Sequence, residues 1–324
     1  MGKKRSPRHG SMQFWPRVRA KKETARVRSP NVGAEAKLCE FAGYKAGMTQ
    51  VTFVDPRKTS LTKGQTVTQA VTIIECPPVQ IIAVRFYKQE MDGLQCVGQV
   101  NATKVMTDVQ KRLVLPKEAK EGSFDSVKEY DSVRLVVATQ PKLCGFAKKV
   151  ADIFEAQLGG DKDSQLSYAK EKLGTMVAAT DVLSAGDVVD SHAVTTGRGY
   201  QGPVKRFGVN LRASKSEKTK RGPGSLGGWK AQGHVMYRIA YAGDMGYHLR
   251  TDYNKQVLLL GDDASKVNPV SGLTRYGVVK SSFILIKGSV SGTKKRLIRL
   301  TKANRVYRKS VRGAVVDQIS VVSQ

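Results

Sequence analysis

Acidic residues are scarce in this 324-residue chain, where 27 Asp and Glu stand against 55 Lys and Arg for a net charge of +28. Such a surplus indicates a polyanionic partner, either nucleic acid or an acidic membrane. Long apolar runs are also missing: none approaches the roughly 18 residues of a spanning helix, and the basic N-terminus lacks the apolar core of a signal peptide. The composition therefore favours nucleic acid and predicts no membrane partner.

Motifs for metal binding and catalysis are missing as well. The four cysteines include no C-x-x-C pair, and none of the four histidines stands at a metal-ligand spacing from a Cys or a carboxylate. G-x-S-x-G and H-E-x-x-H do not occur. We therefore expect reduced thiols, no metal, no cofactor and no catalytic residue.

One glycine pattern has the form of a nucleotide-binding loop. Residues 197–204 read GRGYQGPV and match G-x-G-x-x-G-x-V. A dinucleotide loop must open a helix within a βαβ unit, and we expect Pro203 and the KRFG that follows not to continue one. The V-A-I-K, H-R-D and D-F-G motifs of kinases do not occur. A nucleotide-dependent enzyme remains the alternative, but glycines that let the backbone approach a phosphate chain are the preferred interpretation.

The positive charge is concentrated in three segments. Residues 1–30 carry a net +9, residues 195–255 a net +9 and residues 280–312 a net +11, whereas residues 115–190 carry a net −3. A surface that is merely soluble intersperses the two signs. The distribution therefore predicts a nearly neutral body with three basic attachments.

The segment 197–234 has the clearest functional signal. It is rich in glycine, lysine and arginine, Glu217 is its one acid, and it has neither a helical nor a strand period. Structureless loops of this length usually have a function or a partner. Trp229 has glycines and Lys230 as neighbours, so stacking on a base, worth about 1–3 kcal/mol, is favoured over burial in a core.

The periodicity of the remaining chain predicts a mainly β fold. β-branched runs between turn signals predict strands at 49–54, 66–74, 79–87, 133–139, 188–195, 235–240, 256–260, 277–286 and 295–300. Helices are predicted at 147–157 and 164–173. The order predicts a closed β-barrel formed by residues 38–84 and 181–324, interrupted by an α/β insertion at 85–180. Residues 1–37 and 197–234 are the expected basic extensions.

Two of the basic segments leave alternatives open. The arm at 1–37 is either a disordered tail or a tail that orders against RNA, with Trp15 stacking on a base. In the run 288–300, Arg296 and Arg299 would lie on opposite faces of a strand, one in the core and one towards phosphate, unless the strand is simply solvated. His234 and His248 flank an apolar stretch and are expected to hydrogen-bond locally or to contact RNA.

Several motifs in one order resemble a known family. They are HGS at 9–11, FWPR at 14–17, AGYKAGMT at 42–49, GRGYQG at 197–202 with Lys205 and Arg206, GW at 228–229, AGDMGYH at 242–248 and GTKKR at 292–296. Together they resemble the third universal protein family of the large ribosomal subunit, in its archaeal form. The likeness extends over essentially the whole chain.

This resemblance implies a translation-type β-barrel in a structural, non-enzymatic constituent of the large subunit. It implies binding to 23S-type rRNA, a part in early assembly, a cytoplasmic location in the ribosome, neighbouring large-subunit proteins as partners, and no small-molecule substrate. It also implies that the central loop extends, with Trp229 near its tip, towards the peptidyl transferase centre. A basic chaperone or chromatin-like binder is a further alternative.

The residues expected to contact RNA are cationic, aromatic or polar side chains in the basic segments. They are Arg5, Arg8, His9, Trp15, Arg17, Arg198, Lys205, Arg206, Lys218, Lys220, Arg221, Trp229, Lys230, Gln232, His234, His248, Arg250, Lys294, Lys295 and Arg296.

Overall fold

The computed structural model describes residues 8–57, 59–114, 124, 127, 129–216, 218–226, 233–306 and 316–321. The chain divides into two compact units. We call Met1–Lys21 with Val194–Leu249 the arm unit, and Lys22–Ala193 with Arg250–Gln324 the core unit. No helix in the described ranges is long and apolar enough to cross a membrane.

The secondary structure is mainly β, as predicted. The strands are β1 (Glu40–Val54), β2 (Thr66–Glu75), β3 (Val79–Glu90), β4 (Gly93–Asn101), β5 (Ser132–Ala138), β6 (Ile153–Gln157), β7 (Met176–Val177), β8 (Val188–Val194), β9 (Tyr200–Gln201), β10 (Gly243–Asp244), β11 (Leu249–Gly261), β12 (Phe283–Lys287), β13 (Leu297–Lys302) and β14 (Val316–Ile319). The α-helices are α1 (Thr107–Gln110), α2 (Lys162–Lys172) and α3 (Pro203–Phe207). Short 3₁₀ turns occur at Met12–Phe14, Pro141–Leu143, Ala179–Asp181 and Ala264–Val267.

The larger sheet has the strand order β13–β8–β11–β12–β2–β1–β14, and β13 also pairs with β1. Six strands therefore follow one another in a closed cycle, which is the pairing that a barrel requires. The long strand β1 makes this possible, because its first residues pair with β13 and the rest pair with β2 and β14. Ile74 and Ile284 are fully buried in one hydrophobic cluster, and Ile73 and Leu285 are fully buried in another, because successive side chains of a strand point to opposite faces of the sheet.

The smaller sheet has the order β4–β3–β5–β6, with β7 also paired to β3. The helix predicted at 164–173 is confirmed as α2. The helix predicted at 147–157 is wrong, since that segment ends in β6, which pairs with β5. Phe154 and Ala156 are buried while their neighbours are only half-buried, which is the two-residue period of a strand. Strand β4 was not predicted.

Two of the predicted strands are corrected by local hydrogen bonding. Residues 235–240 form a turn, in which Ile239 N–H donates to the Met236 carbonyl over 3.1 Å. The strand predicted at 277–286 is shortened to β12, because the backbone before it is bound by the buried Glu75 carboxylate. Glu75 Oε1 accepts from Lys280 N–H (2.7 Å) and Ser281 N–H (2.9 Å). A buried carboxylate with this many donors keeps the segment out of the ladder.

Arg299 on β13 faces the core rather than a phosphate. Its guanidinium donates to the buried Glu40 carboxylate, to the Ala25 carbonyl over 2.8 Å and to the Glu155 carbonyl over 2.7 Å. Next to it, Asn31 donates to the Ala303 carbonyl over 2.9 Å. These bonds hold residues 25–31 beside β13.

Candidate nucleic-acid interface

The glycine-rich root of the central loop does form a short helix. Gly202 precedes α3, Pro203 occupies its first turn, and Gly208 ends it with a φ of +69°. The expectation that Pro203 would prevent a helix was therefore wrong, because proline is tolerated where the first-turn N–H has no partner in the helix. The adjacent strands β9 and β10 are antiparallel, so this loop is not part of a parallel βαβ unit.

Trp15 of the N-terminal arm packs against the side chains of this root. Its ring stacks on Phe207, with centroids 5.6 Å apart and planes 29° apart, and it meets Tyr237 edge-on at 6.2 Å. Arg8 lies over the Trp15 ring at 5.8 Å, and Arg17 lies over the Phe207 ring at 4.2 Å. Within the arm unit, the arm and the loop root thus share one aromatic and guanidinium cluster, which sequence reasoning missed. Aromatic residues in both segments were the available signal.

Backbone carbonyls hold the guanidinium groups of this cluster. Arg8 donates to the carbonyl of Arg238 over 2.8 Å, and Arg17 donates to that of Arg206 over 3.1 Å. Arg206 in turn donates to the carbonyls of Asp244 and Tyr241, both over 3.0 Å. A carbonyl orients a guanidinium without neutralising its charge.

The arm unit has few acids to neutralise its cations. Its sequence contains 17 Lys and Arg but only two acids, Glu217 and Asp244. The core unit contains 38 Lys and Arg and 25 acids. The arm unit therefore has a far larger excess of positive charge per residue, and an external anion would stabilise it.

A second connection in the arm unit involves His248. Its Nδ1 lies 2.8 Å from the Val18 carbonyl, and Ala20 N–H donates to the Tyr247 carbonyl over 2.8 Å. His248 is only 7% exposed, so local hydrogen bonding, one of its two expected roles, is present. Arg19, over the Tyr247 ring at 5.2 Å, was not predicted as a site residue.

The other predicted residues of the arm unit are mostly solvent-facing. The exposed ones are Arg198, Lys205, Lys218, Lys220, Arg221 and His234, while His9 is half-buried. We call residues 218–221 the shaft of the loop, and Arg212 N–H donates to the Lys220 carbonyl in this shaft over 3.1 Å. Arg5, Trp229, Lys230 and Gln232 lie outside the described residues.

Four of the residues predicted to contact RNA belong to the core unit, and they differ in exposure to solvent. They are Arg250, Lys294, Lys295 and Arg296. Lys295 is exposed, whereas the Arg296 side chain is only 12% exposed. Lys294 donates to the Thr274 carbonyl over 2.8 Å, and burial, with Arg275 nearby, lowers its pKa. Burial also lowers the pKa of Arg250. A cation that burial destabilises gains from a nearby anion.

Lys45 is a cation of this region that sequence reasoning did not select. Its ammonium donates to the Gly292 carbonyl over 3.1 Å, and burial lowers its pKa despite the opposing effect of Asp252. Its position in the AGYKAGMT motif was the signal that could have identified it. In the ranges that the structure describes, no group of three His, Cys, Asp or Glu side chains could hold a metal ion.

Comparisons with known proteins agree on one family. A family model described as Ribosomal protein L3 matches residues 1–320. Among curated relatives, each named large ribosomal subunit protein uL3, that of Methanothermobacter thermautotrophicus is 42% identical, with 100% of this chain and 99% of the relative covered. That of Archaeoglobus fulgidus is 39% identical, covering 98% of both chains, and that of Methanococcoides burtonii is 42% identical, covering 94% of both.

Proposed function

Since this chain belongs to the ribosomal protein L3 family, we propose that it is a structural constituent of the large ribosomal subunit and binds that subunit's rRNA. Members of this family are structural components of the ribosome, so the prediction of a non-enzymatic protein is confirmed and the nucleotide-dependent enzyme is excluded. The relatives' shared name, which places them in the large subunit, supports the assignment to that subunit.

The observation that carries rRNA binding is the unbalanced charge of the arm unit. The guanidinium groups of Arg8 and Arg17 lie over aromatic rings of this unit. Backbone carbonyls orient them without neutralising their charge. Phosphates are the anions that such planar donors bind with two parallel hydrogen bonds. Each phosphate that is neutralised releases condensed counterions, which makes the binding steeply salt-dependent.

The finer parts of the proposal concern the extensions. The arm and the exposed shaft at Lys218, Lys220 and Arg221 would neutralise rRNA phosphates while the subunit assembles in the cytoplasm, as one of the earlier steps. Trp229, at the tip of the loop, would approach the peptidyl transferase centre and stack on a base without taking part in chemistry. A barrel of residues 38–84 and 181–324 with an insertion at 85–180 would carry these extensions.

Salt titration of binding tests the central proposal. The full chain should bind a large-subunit rRNA fragment with an affinity that falls linearly with salt on a log–log plot. The triple variant Lys218→Gln, Lys220→Gln, Arg221→Gln should reduce that slope by about 2–3, since each phosphate contact contributes roughly 0.7–0.9. Fluorescence anisotropy measures both affinity and slope.

The matched control removes three exposed cations from the nearly neutral segment: Lys149→Gln, Lys162→Gln, Lys170→Gln. Its slope should equal that of the unmodified chain. A flat salt response, or equal losses in the two triple variants, would contradict the proposal. Competition by an unrelated duplex as effective as rRNA would favour the chromatin-like or chaperone alternative.

Trp229→Ala tests the role of the loop tip. Because the neighbours of Trp229 in sequence are mostly glycine and polar residues, the variant should unfold at the same denaturant midpoint as the parent. Subunits that carry it should assemble less completely or catalyse peptide transfer more slowly. A lower unfolding midpoint of the free variant would instead show that Trp229 belongs to a core.

A further inference from the structure

Strand β4 is an edge strand that has neither charged residues nor proline to protect it. Among the described residues it pairs with β3 alone, so its other edge has backbone N–H and C=O groups available for pairing. Proteins normally protect such edges with lysines, other charges, prolines, β-bulges or short strands, because an open edge pairs readily with another chain. The nine residues of β4, GLQCVGQVN, include no charge and no proline, in a chain with 55 Lys and Arg.

The exposed side chains of β4 and of the turn before it are partly apolar. Leu94 is 47% exposed and Val97 is 50% exposed, and Met91 in the turn is fully exposed. A bulge at Val97 bends the strand but adds no charge. An apolar, uncharged edge of this length suits a protein strand better than it suits solvent.

Acidic side chains surround the start of this strand. Glu90, Asp92, Glu129 and Asp131 are all exposed. Lys88 pairs with Glu129 over 2.6 Å, and Asp131 accepts from the backbone N–H of Gln89 over 2.7 Å, which ties these acids to the β3–β4 hairpin. Carboxylates repel phosphate, so this surface disfavours RNA and favours a cationic partner.

We propose that the open edge of β4 binds a basic β-strand from a neighbouring protein of the large subunit. Main-chain hydrogen bonds to β4 would supply affinity, apolar side chains would cover Leu94 and Val97, and Lys or Arg residues would face the acids at the hairpin. The inference rests on the proposed function, because it takes the partner from the same subunit. The inference assigns RNA binding to the arm unit and protein binding to the open edge of β4.

Cys96 provides a natural probe of this edge. It lies on β4 and is exposed, whereas Cys39, Cys76 and Cys144 are buried. Sedimentation first establishes whether the chain is present in large subunits, which tests the proposed function by itself. Maleimide should then modify Cys96 at least about tenfold more slowly in those subunits than in the free chain, since a paired edge excludes the reagent.

A photoactivatable crosslinker attached to Cys96 before reconstitution identifies the partner. The expected product joins Cys96 to a Lys- or Arg-rich segment of another subunit protein. Unchanged maleimide reactivity in the subunit, or a crosslink to RNA, would overturn the inference while leaving the proposed function intact. A free chain that is dimeric with Cys96 already protected would overturn it as well, since the occupant would then be a second copy.

A substitution at the edge gives an independent test. Leu94→Lys adds the protecting charge that β4 lacks, so subunits with this variant should lose more than half of one neighbouring protein, as quantitative mass spectrometry measures. Leu143→Lys, at another exposed leucine, should leave the composition unchanged. Equal composition in both variants would contradict the proposal, and the Cys96 measurement on the unmodified chain decides it if Leu94→Lys does not fold.

Discussion

The two units of this molecule are stabilised by different interactions. The core unit buries aromatic and aliphatic side chains such as Phe41, Ile73 and Leu285 between paired strands. In the described part of the arm unit, the buried hydrophobic side chains are Val194 and Phe207. Its other contacts include the stacking of Trp15 on Phe207, cation–π pairs and bonds from guanidinium groups to carbonyls. Hydrophobic burial can sustain a fold alone, whereas the arm unit is suited to gain stability from an anionic partner.

The largest expected effect on the free energy of unfolding comes from removing a buried cation, and removing an exposed cation is its control. Arg299→Met leaves the Glu40 carboxylate buried without its partner, which should lower the free energy of unfolding by about 3–5 kcal/mol. Lys295→Met, at an exposed cation earlier in the same basic segment, should change it by less than about 0.5 kcal/mol. Urea denaturation measures both. Adding Glu40→Leu to Arg299→Met should recover much of the loss, and similar values for the two single variants would refute the buried pair.

A phenylalanine-to-alanine substitution in each unit tests whether hydrophobic burial stabilises the core unit more than the arm unit. Phe41 is 1% exposed and Phe207 is 6% exposed. Phe41→Ala should cost the main unfolding transition about 3 kcal/mol through lost burial and a cavity. Phe207→Ala should leave that transition nearly unchanged and instead raise hydrogen exchange of the Ala20 N–H. Equal effects of the two variants on the main transition would show that the units unfold as one.

A pH-dependent effect is expected in the core unit. Burial, with the charge of Arg299 nearby, lowers the pKa of His192 to about 4, while its ring nitrogens lie 3.1 Å and 2.9 Å from the hydroxyls of Thr301 and Thr251. A lowered histidine pKa stabilises the fold above the unfolded value of about 6.5 and loses that stabilisation as the pH falls towards 4.

The unmodified chain should therefore lose about 2 kcal/mol more than His192→Gln when the pH falls from about 7 to 4.5. Urea denaturation at several pH values gives the difference between the two chains, which cancels the titration of other groups. Parallel pH profiles would mean that His192 is solvated and titrates normally.

The smallest effect tests the cation–π contact of the arm. Arg17→Gln removes the guanidinium from the Phe207 ring and should lower the free energy of local opening at the Ala20 N–H by about 0.5–1 kcal/mol. Lys205→Gln, at an exposed cation of the same helix, should have no effect on this proton. Native-state hydrogen exchange measures both. Equal protection in the two variants would mean that neither the cation–π contact of Arg17 nor its bond to the Arg206 carbonyl stabilises the arm at this proton.

The strands of the core were largely predictable because their hydrophobic pattern is local. β2, β3, β5 and β8 follow β-branched runs, and α2 follows a run of helix formers between glycines. β4 was missed because its sequence has few β-branched residues, and its place in the sheet depends on β3. The segment 147–157, which ends in β6, was misread as a helix because the pairing of β6 with β5 overrode its helical pattern.

The candidate interface was predictable in charge but not in contacts. The excess of Lys and Arg over acids identified the arm and the loop without any structural information. The stacking of Trp15 on Phe207 joins residues nearly two hundred positions apart, and no local pattern encodes such a pair. The same limit applies to Arg299, whose burial depends on Glu40 and on the Ala25 carbonyl.

The attachment of residues 25–31 to β13 and the residues after it means that this segment gains its partners only after β13 has been synthesised. Arg299 and Asn304 donate to the carbonyls of Ala25 and Ser29, and Asn31 donates to the carbonyl of Ala303. A segment synthesised before β1 is therefore fixed by β13 and the two residues after it. The same strand closes the cycle by pairing with β1. A nascent chain that stops before β13 therefore lacks both the closing strand and the support of residues 25–31, and the two are gained together once β13 and the residues after it have been synthesised.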